Sequence, residues 1–490
     1  LPEEPNPWTI TISEFNGFAP AWFKSTYPFF GDKDHASDMK NIDLTDPNSM
    51  TQGPAPTALT AGTEAGAVTT TVKSFLRHVT SDDVSFALGG AKLYQISSTA
   101  VTNAGVFPHT IDKATVTGED GEGLCYHKTK LYYFYNHSGS AGDIGQYDMA
   151  TTFDDDWGST VPTGFAALQT GPHQAINGGD DEVYFTNGRY MGAIRTSGIL
   201  EPQALDFWTD AQTSSVTWNQ NRVIVAVNRP NVTGSNMNQS GVYTWNGVAG
   251  SWEGDPIEVN GRIGALYTKN GVTFVWWQDA GTSSEFNLGY LVGTQIKGLK
   301  KCEGTLPLYY QVGEFKGYLA WISDGLVYLY GSSDPDTPIK FFQYTSSTYT
   351  TTVGGIGFAL GSLMTASHNA STGYNIAKAS NYTVDSSWKT RAFDVYQPGV
   401  VSYIDKIQVV TEQMSTGARV DCVLTYDQGK STSTLSNIAY SASNYIFHKI
   451  LDKSYKLQDF RLDFDFANGS TTNPVKIRSI LIKGHFVPEI

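Results

Sequence analysis

The chain has 490 residues, enough for about three average domains or for one large β-propeller with an addition. Its formal net charge is −14, with 33 Lys and Arg against 47 Asp and Glu, so the basic footprint that holds nucleic-acid phosphates is missing and sequence-specific nucleic-acid binding is not expected. The three cysteines, Cys125, Cys302 and Cys422, lie far apart and write neither a zinc site nor a disulfide framework, and no run of 18 apolar residues could span a membrane.

Residues 1–70 carry Phe15, Phe18, Trp22, Phe23, Tyr27, Phe29 and Phe30 between Gly, Pro and Asn, without a strand period. Such a segment buries little by itself, so it is expected to be an extended arm whose aromatics dock on the rest of the chain or on a neighbouring subunit. The first residues hold neither a basic n-region nor an apolar h-region, and the start at Leu1 rather than Met leaves open what precedes it.

From residue 71 to 387, short runs rich in Val, Ile, Tyr, Phe and Trp alternate with Gly, Asn, Asp and Ser clusters, which predicts an all-β chain of many short strands. A unit of apolar strand, polar turn and second strand recurs at Val84–Ile96, Gly123–Tyr135, Gln174–Thr186, Val216–Val227, Ala265–Trp277, Glu314–Leu329 and, faintly, Phe358–His368. The starts lie roughly 40 to 50 residues apart, the spacing of four-stranded propeller blades, which predicts a β-propeller of six or seven blades with each copy at the middle of one. Gly89-Gly90, Asn270-Gly271 and Asp324-Gly325 supply the positive φ that two-residue hairpin loops require. Stacked sandwiches are the rival architecture, since their hairpins look alike locally. From 388 to 490 the strands lengthen and alternate strictly, as in Phe460-Arg461-Leu462-Asp463-Phe464-Asp465-Phe466, which predicts a C-terminal β-sandwich.

Chemistry is harder to find. Asp154-Asp155-Asp156-Trp157 and Asp180-Asp181-Glu182 could supply oxygens to calcium but match no calcium loop, and read as solvated turns. His109, His127, His137 and His173 have no metal or protease spacing, and neither a G-x-S-x-G elbow nor a sialidase-type S-x-D-x-G-x-x-W box occurs. Gly354-Gly355-Ile356-Gly357 lacks the lysine and helix of a phosphate loop and reads as a hairpin turn. Trp245 and one of Trp276 and Trp277 are candidates for exposed faces that stack on sugar rings. N-x-[ST] triplets at Asn136, Asn231, Asn238, Asn369, Asn381 and Asn468 read as products of composition. No residue is assigned as catalytic, cofactor-binding or metal-binding, no cofactor is expected, and the chain is expected not to be an enzyme.

Met39-Lys40-Asn41-Ile42-Asp43-Leu44-Thr45-Asp46-Pro47, then Thr51-Gln52-Gly53-Pro54, then Phe86-Ala87-Leu88-Gly89-Gly90-Ala91-Lys92-Leu93-Tyr94 resembles the opening of bacteriophage tail proteins. Those begin with a short arm and a first blade carrying a Gly-Gly-x-Lys-Leu-Tyr-like hairpin. The order of arm, propeller and sandwich is similar to that of the tail hub or nozzle proteins of short-tailed phages across nearly the whole chain. The resemblance implies a structural virion protein in the tail, made in the host bacterial cytoplasm. It implies a homo-oligomeric ring beneath portal and adaptor that extends the tail channel, helps retain packaged DNA and contributes to host attachment, with a host surface glycan as a further partner. It transfers a role and no site. The alternative is a glycan-binding or glycan-degrading propeller with the sandwich as a binding module.

Overall fold

In the computed structural model the β-branched and aromatic runs become strands throughout, and the described residues hold only two short helical turns, Trp157–Thr160 and Tyr309–Gln311. The structure describes residues 6–18, 33–46, 48–59, 68, 70–77, 85–96, 107–114, 116–138, 141–160, 168–229, 239–332, 339–346, 352–359, 361–369, 373–382, 385–439, 446–467 and 473–488.

Among the described residues seven antiparallel meanders follow one another. The first has strands Ser74–Arg77, Ser85–Gly89, Lys92–Ile96 and His109–Thr110, and the second Asp120–His127, Lys130–His137, Ala141–Tyr147 and Phe153–Asp154. The third has Ala175–Asn177, Val183–Asn187, Tyr190–Ile194 and Leu200–Asp206. The fourth has Gln212–Asn219, Arg222–Arg229, Gln239–Trp245 and the first half of Glu253–Lys269, whose second half opens the fifth, with Val272–Asp279, Glu285–Val292 and Gln295–Glu303. The sixth has Val312–Phe315, Tyr318–Ser323, Leu326–Gly331 and Lys340–Ser346. The seventh has Thr352–Ala359, Ser362–Asn369 and Gly373–Asn381, and its fourth strand is Ala55–Ala58, brought from near the start of the chain.

The first strands of successive meanders lie against one another in order, and Thr352–Ala359 returns to Ser74–Arg77. At that seam the Gly355 amide donates to the Val72 carbonyl at 2.8 Å. A Cβ on Gly354 would sit 2.2 Å from the same oxygen. The glycine run expected to be a turn is therefore part of a strand, and its glycines permit two backbones to approach.

Period-two alternation gives each meander two apolar faces. Tyr133 and Tyr135 face the first meander with Phe86 and Leu88, while Tyr132 and Phe134 face the third with Val183 and Phe185. Each such fully buried side chain contributes about 1.5–3 kcal/mol, so the contact between neighbouring meanders is a core in its own right. Tight turns close the inner hairpins with both central residues at positive φ: Lys128-Thr129, Gln220-Asn221, Asn270-Gly271 and Lys316-Gly317. Gly89 ends a strand and the turn is Gly90-Ala91. The sequence copies at Gly123, Gln174, Val216, Ala265 and Phe358 cover first hairpins rather than the middle of a meander, whereas the copy at Val84 covers the second and third strands.

Beyond Ser386–Thr390 two larger sheets share one core. One has the order Ile446–Leu457, Val400–Thr411, Lys476–Pro488, Met50–Gln52, Ile42–Asp43, with Asn6–Ile12 also on Lys476–Pro488. The other runs on from the sixth meander through Gly17–Phe18 and His35–Lys40 to Ser386–Thr390, Asp459–Ala467, Arg419–Tyr426 and Ser431–Ala439. Ile404, Ile407, Ile480 and Ile482 from the first sheet and Val420, Leu462, Phe464 and Trp388 from the second belong to the same buried cluster.

The described part of residues 1–70 is woven into both bodies. Phe15 and Phe18 are buried, with Phe15 edge-on to Trp388 at 5.8 Å. Trp22, Phe23, Tyr27, Phe29 and Phe30 lie outside the described residues. Gly17 stitches the bodies together by pairing with Phe341 on one side and His35 on the other.

Candidate functional site

The first strand of several meanders carries one residue too many. Register shifts between Gly121 and Gly123, Thr213 and Ser215, and Ile263 and Ala265 leave Glu122, Ser214 and Gly264 as bulges. A bulge re-aims its side chain out of the pleat. Counting back six residues from the turn residues Lys128, Gln220, Asn270 and Lys316 lands on Glu122, Ser214, Gly264 and Tyr310. All four line one cavity of about 570 Å3, enclosed by residues from the inner strands and the segments leading into them.

One wall centres on Glu122, a buried carboxylate. Lys73 donates from Nζ to Glu122 Oε1 at 2.5 Å and to Asp120 Oδ2 at 2.7 Å, and the Asn136 amide donates to Oε1 at 3.0 Å. The Tyr309 hydroxyl, carried by the turn leading into the sixth meander, reaches across to Oε2 at 2.8 Å. Burial pushes the Glu122 pKa above its ordinary value, and Lys73 and Tyr309 restrain the rise. Burial also works against the Lys73 ammonium, but Glu122 and Asp120 outweigh it and hold its pKa above normal. Behind Asn136, both ring nitrogens of His173 face oxygens: Asn136 Oδ1 at 3.2 Å and the Thr186 carbonyl at 2.9 Å. Complete burial drives the His173 pKa down to about 4, so the ring is neutral and only one of these contacts is a donated hydrogen bond.

On the facing wall, Asn228 brackets the Ile263 backbone, accepting from its amide at 2.8 Å and donating to its carbonyl at 2.9 Å, and Ser214 donates to the same carbonyl at 3.0 Å. These bonds fix the bulge at Gly264. Arg229 is paired with Asp210 at 3.2 Å and lies over the Trp208 ring. Arg262 is exposed, and its Nε donates to the Gln278 side-chain carbonyl at 3.0 Å.

The residues singled out from sequence lie elsewhere, except Asn136 and His173. Asp155 accepts hydrogen bonds from the Tyr133 hydroxyl and the Asp112 amide and pairs with His109, while Lys113 holds Asp143 and Asp156. Asp180 accepts from Tyr184, Asp181 pairs with Lys128, and Glu182 pairs with Arg195. Among the described residues no group of three His, Cys, Asp or Glu side chains is placed to hold a metal ion. Trp245, expected to be exposed, is buried and donates to the Ala249 carbonyl at 2.6 Å, which uses its only polar atom. Trp276 is core, and Trp277 lines a separate open groove beside Glu258. Asn136, within a glycosylation triplet, has its amide engaged in the cavity wall. Asn231, Asn238 and Asn468 lie outside the described residues. The three cysteines are free and buried, and burial pushes the Cys125 thiol up to about 12, far from nucleophilic use.

No family model and no curated protein matches the chain. Among solved structures it is similar to an extracellular domain from B. thetaiotaomicron described as part of a one-component system, at 13% identity and a TM-score of 0.44 over 82% of this chain and 48% of that one. It is similar to a computationally designed protein at 10% identity and a TM-score of 0.38, over 75% and 99% of the two chains. It is also similar to an exo-β-1,3-galactanase from Phanerochaete chrysosporium at 7% identity and a TM-score of 0.32, over 88% and 99%. Further glycoside hydrolases match. The expectation that the chain is not an enzyme is corrected by these matches. That expectation rested on missing local motifs, and the absence of a motif does not exclude a catalytic site.

Proposed function

We propose that the seven meanders are the blades of one β-propeller, that the two C-terminal sheets form a sandwich, and that the axial cavity binds a glycan. The observation that carries the reading is the carboxylate pair held by Lys73, of which Glu122 lines the cavity. Asp120 and Glu122 each touch the Lys73 ammonium, at 2.7 and 2.5 Å, which keeps the two contacting oxygens within about 5 Å of each other, near the separation used by retaining glycosidases. One carboxylate is buried with a raised pKa, as a general acid requires, and the other is half exposed. Glu122 is the acid and Asp120 the nucleophile in this reading, and Lys73 must move aside when a sugar enters. The test is titration calorimetry and product analysis with a panel of oligosaccharides, on the full chain and on Glu122→Gln. Binding by both, with cleavage lost only in the variant, supports the reading. Absence of any binding overturns it.

A second reading, a ring subunit in the tail of a short-tailed bacteriophage, is favoured by where the resembling residues sit. Met39–Pro54 supply strands that join the propeller to the C-terminal body, the position from which a ring subunit would be braced. In that reading copies of the chain form a closed ring with portal-side and other tail proteins as neighbours, and the ring extends the DNA channel. Native mass and negative-stain imaging test it: rings, alone or with a portal partner added, support it, and a stable monomer in both conditions overturns it.

A further inference from the structure

The polar groups on the cavity wall divide into those already bonded within the protein and those that are not. Lys73 lies between two carboxylates, Arg229 on Asp210, and Asn136, Asn228, Ser214 and Ser240 each hold backbone or side-chain partners. Among the described residues Arg262 has no carboxylate partner, and its one recorded bond uses Nε, leaving Nη1 and Nη2. Gln212 and Tyr310 also line the cavity, and neither side chain makes a hydrogen bond within the described residues. A guanidinium presents two parallel N–H groups that match a carboxylate, whereas an amide and a phenol hydroxyl suit sugar hydroxyls.

We infer that the glycan bound in this cavity is acidic, a uronic-acid-bearing chain whose carboxylate is received by Arg262 and whose hydroxyls meet Gln212 and Tyr310. This rests on the glycan reading above and narrows it to a ligand class. The chain carries a net charge of −14, so it repels anions at long range and an acidic ligand has to be recognised by a specific cation. Arg262 is the cationic group on the wall that fits, because Lys73 and Arg229 are already neutralised by neighbours. Selectivity is then expected to come from the fork itself, and added salt weakens it because Arg262 is exposed.

The experiment is titration of the full chain with an oligogalacturonate and with the same oligomer after its carboxyls are reduced to neutral sugars, repeated for Arg262→Gln, Arg262→Lys and Glu122→Gln. The uronate is expected to bind at least tenfold more tightly than the neutral oligomer. Arg262→Gln is expected to abolish that preference, and Arg262→Lys to restore only part of it, since lysine cannot offer the paired donors. Equal affinity for both oligomers, or a preference that survives Arg262→Gln, overturns the inference and leaves the glycan reading standing. Citrate binding as tightly as the uronate also overturns it, because the sugar ring would then contribute nothing. If neither oligomer binds, the inference falls, and the glycan reading falls with it only if the oligosaccharide panel fails as well.

Discussion

The two walls of the cavity are built on equivalent strands and put them to opposite use. On the second meander the bulge carries Glu122, and each polar group around it is bonded to another: Lys73, Asp120, Asn136 and, from the turn before the sixth meander, Tyr309. On the fourth and fifth meanders the bulges carry Ser214 and Gly264, small residues fixed by their neighbours, and beside them Arg262 keeps most of its guanidinium unengaged. One wall is a closed network of engaged groups, and the other offers free donors. The repeat supplies the position, and the residue placed there decides whether its polar groups are engaged or free.

That contrast can be broken from either side. The largest effect is expected for Lys73→Met, which leaves Glu122 buried without its cation: about 3–5 kcal/mol of stability lost by denaturant unfolding, much of it recovered by adding Glu122→Gln. Arg262→Gln should stay within about 0.5 kcal/mol of the parent, and a comparable loss at both arginine and lysine would erase the distinction between the walls. Next come the glycines beside and at the bulges. A Cβ at Gly123 would lie 1.9 Å from the His173 carbonyl and one at Gly264 2.1 Å from the Pro307 carbonyl. Alanine at either should cost about 1–3 kcal/mol or more, because backbone rather than a side chain must yield.

A pH series sharpens the description of the closed network. The folded pKa of His173, about 4, lies below the ordinary value of 6.5. As pH falls the unfolded chain takes up that proton first, so the stabilisation present above pH 6.5 drains away down to about pH 4, with a slope of up to about 1.4 kcal/mol per pH unit. His173→Gln should remove this slope, seen as the difference between the two stability-against-pH curves, and identical curves would mean the ring is not neutral in the fold. A surface ion pair serves as the control. Arg222 and Glu253 pair at 2.6 Å with both side chains well exposed, and Glu253→Gln should change stability by less than about 1 kcal/mol.

Much of the scaffold could be read from sequence because it obeys short periods. Phe460–Phe466 alternates, and the alternate residues are buried in the core of the C-terminal body. Asn270-Gly271 announces its turn, whereas Lys128-Thr129 takes the same backbone with neither Gly, Asn nor Asp, and Gln220-Asn221 with Asn alone. Consecutive hairpins of a meander look alike, so the copies at Gly123, Gln174, Val216, Ala265 and Phe358 fall one hairpin before the middle that their spacing predicts, while the copy at Val84 falls on it. The site was hidden for a related reason. Glu122 sits one residue before the repeat copy that begins at Gly123, at a bulge that interrupts the alternation, and its partner Tyr309 is 187 residues away. Aligning the copies on their turns, instead of on their apolar strands, would have placed Glu122, Ser214, Gly264 and Tyr310 in one column.

The strand Ala55–Ala58 carries a consequence for how the chain is made. Its partner, Gly373–Asn381, leaves the ribosome about 320 residues later, a delay of roughly 15 to 60 s at ordinary rates of synthesis. Throughout that interval an early strand waits with its backbone donors unmatched, and such a long-range pairing makes the final step of folding slow. A nascent chain that stalls before Gly373 therefore exposes a strand ready to join a neighbouring chain, and crowded polysomes are where misassembly of this protein should begin.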